Sequence, residues 1–261
     1  NKKFGISFLD ISTGDFLITE GNKIEIEQLL QNYIPSEVLV PKPMKSFFNE
    51  QFGSIYPYFY IEDWVYEIST SSQKLTTHFQ TNSLEGFGIE KDNIGISAAG
   101  AVMHYLSETQ NDKLQHINRI TPINKRSYVH LDKFTQQNLE LFTPNHEQGA
   151  SLIDIIDNTQ TSMGARLLRK WVTFPLKELN PIELRHNIVE EFLDNDNDLE
   201  YIQTLLKQVI DIERVISKIA TEKISPRALN QLSDSLEIVE KLKSKIKEGK
   251  SKILKKEFQN L

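Results

Sequence analysis

Asp10 is the residue whose position in this sequence could support metal-dependent chemistry. It ends an alternating apolar segment that begins at Phe4 and is typical of a β-strand. Two-metal cleavage of a phosphodiester needs several carboxylates that converge on ions roughly 4 Å apart. Further carboxylates occur at Glu20, Glu62 and Asp63, but no spacing places them around Asp10. The sequence therefore favours Asp10 as a turn or surface residue and leaves a metal-dependent nuclease as the alternative.

Other catalytic patterns have less support. The 6 histidines are scattered and form no HxxxH or HxH pair, so metal ligation by them is not expected. The chain has no cysteine, which excludes disulfides, thiolate metal sites and cysteine nucleophiles. No nucleophile-elbow pattern singles out a serine, and no GxxxxGKS or GxxxxGKT run could hold nucleotide phosphates. We therefore expect the chain itself to be no enzyme and to hold no metal or cofactor.

Lysines crowd the end of the sequence and could contact phosphates. They are Lys241, Lys243, Lys245, Lys247, Lys250, Lys252, Lys255 and Lys256. The sequence favours a solvated helix here, because Glu240, Glu248 and Glu257 dilute the positive charge. The alternative is a free-standing DNA-binding module, whose affinity would depend steeply on salt. The positions predicted for a weak DNA contact are Lys250, Lys252, Lys255 and Lys256.

The bulk composition is that of a globular protein with room for two domains. Of its 261 residues, 39% are hydrophobic and 25% are charged. Residues 1–121 carry 9 Lys and Arg against 15 Asp and Glu, whereas residues 122–261 carry 21 of each sign. The acidic first half is a poor fit for a phosphate-binding surface. No apolar run approaches the ~20 residues of a membrane span, so we expect a cytoplasmic protein without membrane contact.

The first half is predicted to be an α/β layer, because strand-like and helix-like segments alternate after an opening hairpin. The predicted strands are 4–10, 16–18, 36–40 and 56–61, and the predicted helices are 24–33, 45–51, 73–81 and 93–110. Small residues from Ala98 to Ala101 would allow close packing of the last of these helices. Thr121-Pro122 marks the predicted boundary between a first domain, 1–121, and a second domain, 122–261.

The second half is predicted to be helical and to be organised around residues 151–176. Ser151 followed by Asp154 resembles a capping box, and Pro175 should end the second helix of this segment. Helical spacing predicts a buried hub, whose members are Met163, Gly164, Leu167, Leu168 and Trp171. Gly164 suggests that another helix backbone comes close. Arg166 and its basic neighbours point away from the hub and are predicted to pair within the chain or to lie on the surface.

Further helices follow from start signals and apolar spacing. Asp132 should cap a helix that runs to Phe142, and Asn180-Pro181 should open another. Asp211 begins an amphipathic segment, whereas the polar residues 195–198 read as a break. The last helix starts at Ser225-Pro226. Its predicted apolar face is Leu229, Leu232, Leu236 and Val239.

Several motifs in a fixed order carry a resemblance to a known family. In the second half they are Leu131-Asp132, Asn138 to Leu141, Ser151 to Ile153, Thr161 to Leu168, Trp171, Pro175-Leu176, Asp211-x-Glu213-Arg214 and Ser225-Pro226-Arg227. In the first half they are Ser7 to Phe16 and Leu84-x-Gly86-Phe87-Gly88, followed by the alanine-rich helix. The second half resembles the core domain, and the first half the connector domain, of the MutS family of DNA mismatch-recognition ATPases.

This resemblance implies a fold and a role. It implies an α/β RNase H-like connector domain, similar to MutS domain II, followed by an incomplete all-α core domain, similar to MutS domain III. The implied role is non-catalytic: the chain would transmit between the mismatch-binding and ATPase domains, and only the full-length protein would bind ATP and magnesium. The implied partners are the remaining MutS domains, MutL through the connector and, through the full-length protein, mismatched DNA and a second copy in a homodimer. An RNase H-like nuclease that uses Asp10 remains the enzymatic alternative.

Overall fold

Two compact units, residues 1–123 and 124–261, divide the chain between them. The computed structural model describes residues 3–53, 56–109, 114–124, 127–193 and 196–248. Strands occur among the described residues of the first unit, and the second is built from helices. The predicted order, a mixed α/β part followed by a helical part, is confirmed.

The α/β unit holds two small sheets. Its strands are β1 (Phe4–Asp10), β2 (Asp15–Gly21), β3 (Val38–Pro41), β4 (Tyr58–Ile61) and β5 (Ile120–Pro122). β1 and β2 pair in antiparallel fashion as the predicted hairpin, with Phe4 opposite Gly21. β5 joins β2 in parallel, and β3 pairs with β4 in a separate parallel sheet. The end of the unit therefore returns to the hairpin at its beginning.

Helices cover these sheets and enclose an apolar core. They are α1 (Lys23–Tyr33), α2 (Lys45–Phe52), α3 (Ile68–His78) and α4 (Gly95–Thr109). Asn22 and Glu25 form a capping box that fixes the start of α1. The core joins the hairpin, α3, α4 and β5 through fully buried side chains. Its members include Phe16, Ile18, Leu75, Ile89, Ile96, Ile117 and Ile120.

Close contact between α3 and α4 depends on Gly100. A Cβ built at Gly100 would lie 2.3 Å from Cβ and 2.5 Å from Cα of Ser71, closer than real side chains approach. Ser71 is buried and its hydroxyl donates to the carbonyl of Val65 at 3.0 Å. The predicted small-residue stretch of α4 is thus explained: it lets two helix backbones pack closely.

The helical unit contains shorter and longer helices linked by tight turns. They are α5 (Lys133–Asn138), α6 (Leu152–Ile156), α7 (Ser162–Thr173), α8 (Leu179–Leu193), α9 (Asp196–Leu206), α10 (Ile212–Ala220) and α11 (Pro226–Glu248). Its buried apolar residues are Leu141, Ile153, Leu205, Leu232, Ile238 and Ile246. In the described ranges, no helix is both long enough and apolar enough to cross a bilayer.

Capping signals were correct at three helix starts in the helical part of the sequence. Asp132, Ser151 and Asp211 each accept a hydrogen bond from the backbone N–H three residues later, at 2.7, 3.3 and 3.3 Å. Ser151 and Asp154 complete a capping box. Pro226 occupies the first turn of α11 as predicted, because a missing N–H has no cost at that position.

Four predictions about these helices are wrong, in whole or in part. α8 begins at Leu179, so Asn180 lies inside the helix and is not its cap. α5 ends at Asn138 rather than Phe142, because Glu140 takes a left-handed conformation with φ of 50° that interrupts the helix. Residues 196–206 form a helix, although their polar start resembled a break. Along α11 the buried residues include Ser235 and Ile238, whereas Leu229 and Leu236 are exposed.

Replacing Gly100 by alanine should destabilise the α/β unit. Alanine favours a helix over glycine by about 1 kcal/mol, but overpacking against the Ser71 backbone costs about 1–3 kcal/mol, so a net loss of up to about 2 kcal/mol is expected. Urea unfolding followed by circular dichroism measures it. Gly86→Ala is the matched control, because a Cβ at Gly86 meets no atom within 4 Å. Equal stability of the two variants would contradict the close-packing account.

Candidate functional site

Helix α7, which carries the predicted hub, lies partly at the surface of the helical unit. Leu167 is 47% exposed and Trp171 is 40% exposed, whereas Met163 and Leu168 are half-buried. The prediction of a buried hub is therefore wrong for Leu167 and Trp171. Apolar spacing identifies which face of a helix is hydrophobic, but it does not require that the same segment of chain cover that face.

Gly164 has a different role from the one predicted. A Cβ at this position would meet the Thr161 hydroxyl at 3.1 Å and the Thr159 side chain at 3.4 Å. Both residues belong to the turn that starts α7 itself, and no second helix backbone is among the nearest atoms. The Gly164 N–H donates to the Thr161 hydroxyl at 3.0 Å, which caps the helix. The glycine therefore makes room for the cap.

Arg166 forms the main polar contact between α7 and the rest of the helical unit. Its two terminal nitrogens donate to the two carboxylate oxygens of Asp211 at 2.7 and 2.8 Å. One of these nitrogens also donates to Glu213 at 2.5 Å. We call this set, Arg166 with Asp211 and Glu213, the α7–α10 clasp. A fork-shaped pairing of this kind fixes the relative orientation of two elements as well as their distance.

The clasp residues also shape the ends of both helices. Asp211 caps α10 while it accepts from Arg166, so one carboxylate serves two elements. The hydrogen bonds from Arg166 hold the pKa of Asp211 below its ordinary value, against the opposing effect of partial burial. The same contact, above all with Asp211, raises the pKa of Arg166. The guanidinium and the carboxylate are therefore both charged at neutral pH.

Backbone contacts hold the two ends of the α6–α7 segment. At the start of α6, the N–H groups of Leu152 and Ile153 donate to the carbonyls of Glu140 and Leu141 at 2.8 and 3.1 Å. After α7, residues 127–129 pair with residues 175–177 around an antiparallel bridge between Tyr128 and Leu176. The chain around Tyr128 is thus extended, and α7 is fixed at its beginning, middle and end.

Trp171 is held by a cation rather than by an apolar partner. The guanidinium of Arg185, on α8, lies 3.6 Å from the centre of the Trp171 ring. Partial burial lowers the pKa of Arg185 from its ordinary value, but a guanidinium stays charged at any physiological pH. A stacked cation stabilises an exposed indole by about 0.5–1 kcal/mol and leaves much of its surface open.

Asp10 is the last residue of β1, and its side chain closes the turn between the hairpin strands, as the sequence favoured. Its carboxylate accepts from the backbone N–H of Ser12 at 2.8 Å and from the Ser12 hydroxyl at 2.7 Å. Among the residues that the structure describes, no three histidine, aspartate or glutamate side chains are grouped so that they could hold a metal ion. The carboxylate is used to close a turn, and the nuclease alternative is not favoured.

Two further predictions from the sequence concern basic residues. Lys250, Lys252, Lys255 and Lys256 lie outside the described residues, so a weak DNA contact there stays a prediction. The pairing of Arg166 within the chain was predicted and is confirmed, but its partners were not identified from the sequence. The signal was available, since the Asp211-x-Glu213 pair places two carboxylates at the start of an amphipathic helix.

Replacing Asp211 by asparagine should loosen the α7–α10 clasp without removing the cap of α10, because asparagine is an equally good N-cap. Loss of the charged hydrogen bonds should lower the free energy of unfolding by about 2 kcal/mol at pH 7. The folded-state pKa of Asp211 is lowered, so this stabilisation is complete above the unfolded pKa of about 4 and is lost as the pH falls below it. The measurement is urea unfolding at pH 7 and at about pH 3.

The control for this measurement is Asp234→Asn, which removes a charge from an exposed position on α11. Its effect should stay within about 0.5 kcal/mol at both pH values. A loss for Asp211→Asn that is independent of pH would contradict the charged clasp.

Comparison with known proteins accounts for nearly the whole sequence. Residues 1–118 match the family description MutS domain II, and residues 134–261 match MutS domain III. The DNA mismatch repair protein MutS of Flavobacterium psychrophilum is 49% identical over 238 residues, or 91% of this chain. The protein of the same name from Flavobacterium johnsoniae is 48% identical over 244 residues, or 94% of this chain.

A more divergent relative gives the same result. The DNA mismatch repair protein MutS of Cytophaga hutchinsonii is 45% identical over 252 residues, which cover 97% of this chain and 29% of that protein. This chain spans 28% of the length of each Flavobacterium relative. The two family matches occupy the α/β unit and the helical unit in the order in which the motifs were found. The chain therefore belongs to the MutS family and carries the sequence of its domains II and III.

Proposed function

We propose that this chain is a non-catalytic transmission element of a mismatch repair protein. It would link the domain that binds mismatched DNA to the domain that hydrolyses ATP, so that each can influence the other. The observation that carries this proposal is the α7–α10 clasp, which joins two helices through three charged side chains. Coupling between distant sites requires elements that move as units between discrete arrangements.

The geometry of α7 supports this role. Its start is capped by Thr161, its middle is held by Arg166, and the segment after it pairs with residues 127–129. A displacement applied to α10 would therefore act on α7 through a directional, hydrogen-bonded contact. Such a contact transmits orientation better than apolar packing alone, because its fork geometry tolerates little rotation.

The proposed partners follow from family membership. They are the remaining domains of the protein, MutL at the α/β unit and, through the full-length protein, mismatched DNA and a second copy in a homodimer. ATP and magnesium would be bound by the ATPase domain, and none is proposed for this chain. We propose that the α/β unit has the RNase H-like fold and that the protein acts in the cytoplasm.

Two rival functions have weaker support. Asp10 is engaged in a turn, and a nuclease would need further carboxylates around it. A free-standing DNA-binding module would depend on the terminal lysines, while the first half of the chain is acidic. Neither rival explains why both halves match one repair protein in order.

The test is a chimera in which these 261 residues replace the matching segment of the Flavobacterium johnsoniae relative. In the chimera, Asp211→Asn should weaken the effect of ATP on mismatch affinity by roughly tenfold, within the usual range of allosteric coupling. Affinity without nucleotide and ATP hydrolysis without DNA should stay within about twofold, since the proposal assigns the clasp to the coupling and not to either binding site. Fluorescence anisotropy of a labelled mismatched duplex and a phosphate-release assay measure the two quantities.

Asp234→Asn serves again as the matched control and should leave the coupling unchanged. If Asp211→Asn lowers stability but leaves the nucleotide effect intact, the clasp is structural only and the proposal fails. Loss of mismatch affinity already without nucleotide would also contradict it, because the chain would then act in binding rather than in transmission.

A further inference from the structure

Two exposed aromatic side chains contact helix α4 in the α/β unit. Phe59 is 46% exposed and Trp64 is 54% exposed, although both are large apolar residues. The Phe59 ring lies 6.1 Å from the ring of Tyr105, and the Trp64 ring lies 5.3 Å from the ring of His104. His104 and Tyr105 are consecutive residues of α4, so the two exposed rings contact the same turn of this helix. We call these four residues the aromatic surface.

The aromatic surface is held in a fixed position. Phe59 belongs to β4, which is paired along its length with β3. Trp64 is followed by Val65, which is 2% exposed and whose carbonyl accepts from the buried Ser71 hydroxyl. The edge-to-face contact with His104 orients the indole further. A rigid aromatic side chain loses little conformational entropy when a partner covers it, which favours binding.

Exposed carboxylates lie next to residues of the aromatic surface in the sequence and on α4. Asp63 precedes Trp64, and the backbone N–H of Glu67 closes the turn by donating to the carbonyl of Trp64 at 3.2 Å. At the other ring, the Tyr105 hydroxyl donates to Glu37 at 3.3 Å. Glu108 lies one helical turn from His104 and acts on its charge. Asp63, Glu67 and Glu108 form no salt bridge within the described part of the chain.

Two nearby lysines are engaged within the unit. Lys42 forms a salt bridge with Glu62, the residue before Asp63. The ammonium group of Lys74 donates to the Ser107 hydroxyl at 2.7 Å and lies 3.3 Å from Nδ1 of His104. Burial first and the neighbouring Lys74 second lower the pKa of His104, so its ring is neutral at pH 7. The aromatic surface therefore presents apolar rings within a negative rim, in the half of the chain whose net charge is −6.

We propose that the aromatic surface is a docking site for a cationic amphipathic segment of a partner protein. An apolar anchor of that segment would cover Phe59, and an arginine or lysine would stack on Trp64 with Asp63 and Glu67 as its counter-charges. A nucleic acid does not fit, because its phosphates would meet the carboxylate rim. The inference gives the partner-binding part of the proposed function a location and rests on that part.

The test uses the whole chain and a synthetic helical peptide of about four turns in which leucine and arginine alternate at i, i+4 spacing. Trp64→Ala should weaken the affinity by about tenfold, since it removes both a cation–π contact and buried area. The double variant Asp63→Asn, Glu67→Gln should weaken it by about fivefold and reduce its dependence on salt. Isothermal titration calorimetry measures both effects.

The matched control is the double variant Glu90→Gln, Asp92→Asn. It removes the same charge from the same unit, but at residues that precede the start of α4, about 13 Å along the helix from His104. Its affinity for the peptide should stay within about twofold of the unsubstituted chain. If this control weakens binding as much as Asp63→Asn, Glu67→Gln does, the peptide senses bulk charge and the inference is overturned.

Failure of the inference and failure of the proposed function give different results. Unchanged peptide affinity in Trp64→Ala would overturn the docking site, whether or not the chimera binds MutL. A chimera that does not bind MutL would overturn the proposed MutL contact. Loss of peptide binding in Trp64→Ala would still support the aromatic surface as a docking site. If the chimera fails to bind the peptide that this chain binds, another domain of the same protein covers the rings and the inference is overturned.

Discussion

A charged contact holds the middle of α7 within the helical unit. Arg166 uses both terminal nitrogens on Asp211 and one of them again on Glu213, and Asp211 is at the same time the cap of α10. Such a half-buried pair contributes little net stability compared with apolar side chains of similar volume, because both charges lose hydration. Removing one partner is nevertheless costly, since the other charge is then left without compensation. The contact therefore contributes geometry more than stability.

The two units obtain their order in different ways. In the α/β unit, the core around Phe16, Ile18 and Ile96 is dry, and two helices approach until only glycine fits between them at Gly100. In the helical unit, the described core is smaller, and polar links supplement it. Ser235 is an example: it is fully buried, and its hydroxyl accepts from the Ile210 N–H and donates to the Gln231 carbonyl. Apolar cores resist deformation, whereas directional polar links preserve the angles between helices.

Helix caps and turns were predictable from the sequence. Which parts of the chain pack against a given apolar face was not. Caps at Ser151 and Asp211 followed from the residue at the cap and the residues after it, because capping depends on a few neighbouring positions. The turn at Asp10 was predictable for the same reason. The exposure of Leu167 and Trp171 was not, because helical spacing shows which face is apolar and not what covers it. Residues 196–206 were missed since their first residues resemble a turn, whereas tertiary packing of Leu205 decides the helix.

The exposed tryptophans of the two units differ in whether a cation of the same chain stacks on them. On α7, Trp171 is stacked by Arg185 of the same chain, so its cation partner is already present. On the α/β unit, Trp64 contacts a neutral histidine, and Lys74 beside that histidine donates to Ser107. An indole face with carboxylates beside it in the sequence, and with no cation above it among the described residues, is complementary to a positive charge supplied by a partner. Tryptophan thus completes an internal cation–π contact in the helical unit. In the α/β unit it leaves a ring that is open to a cation from a partner.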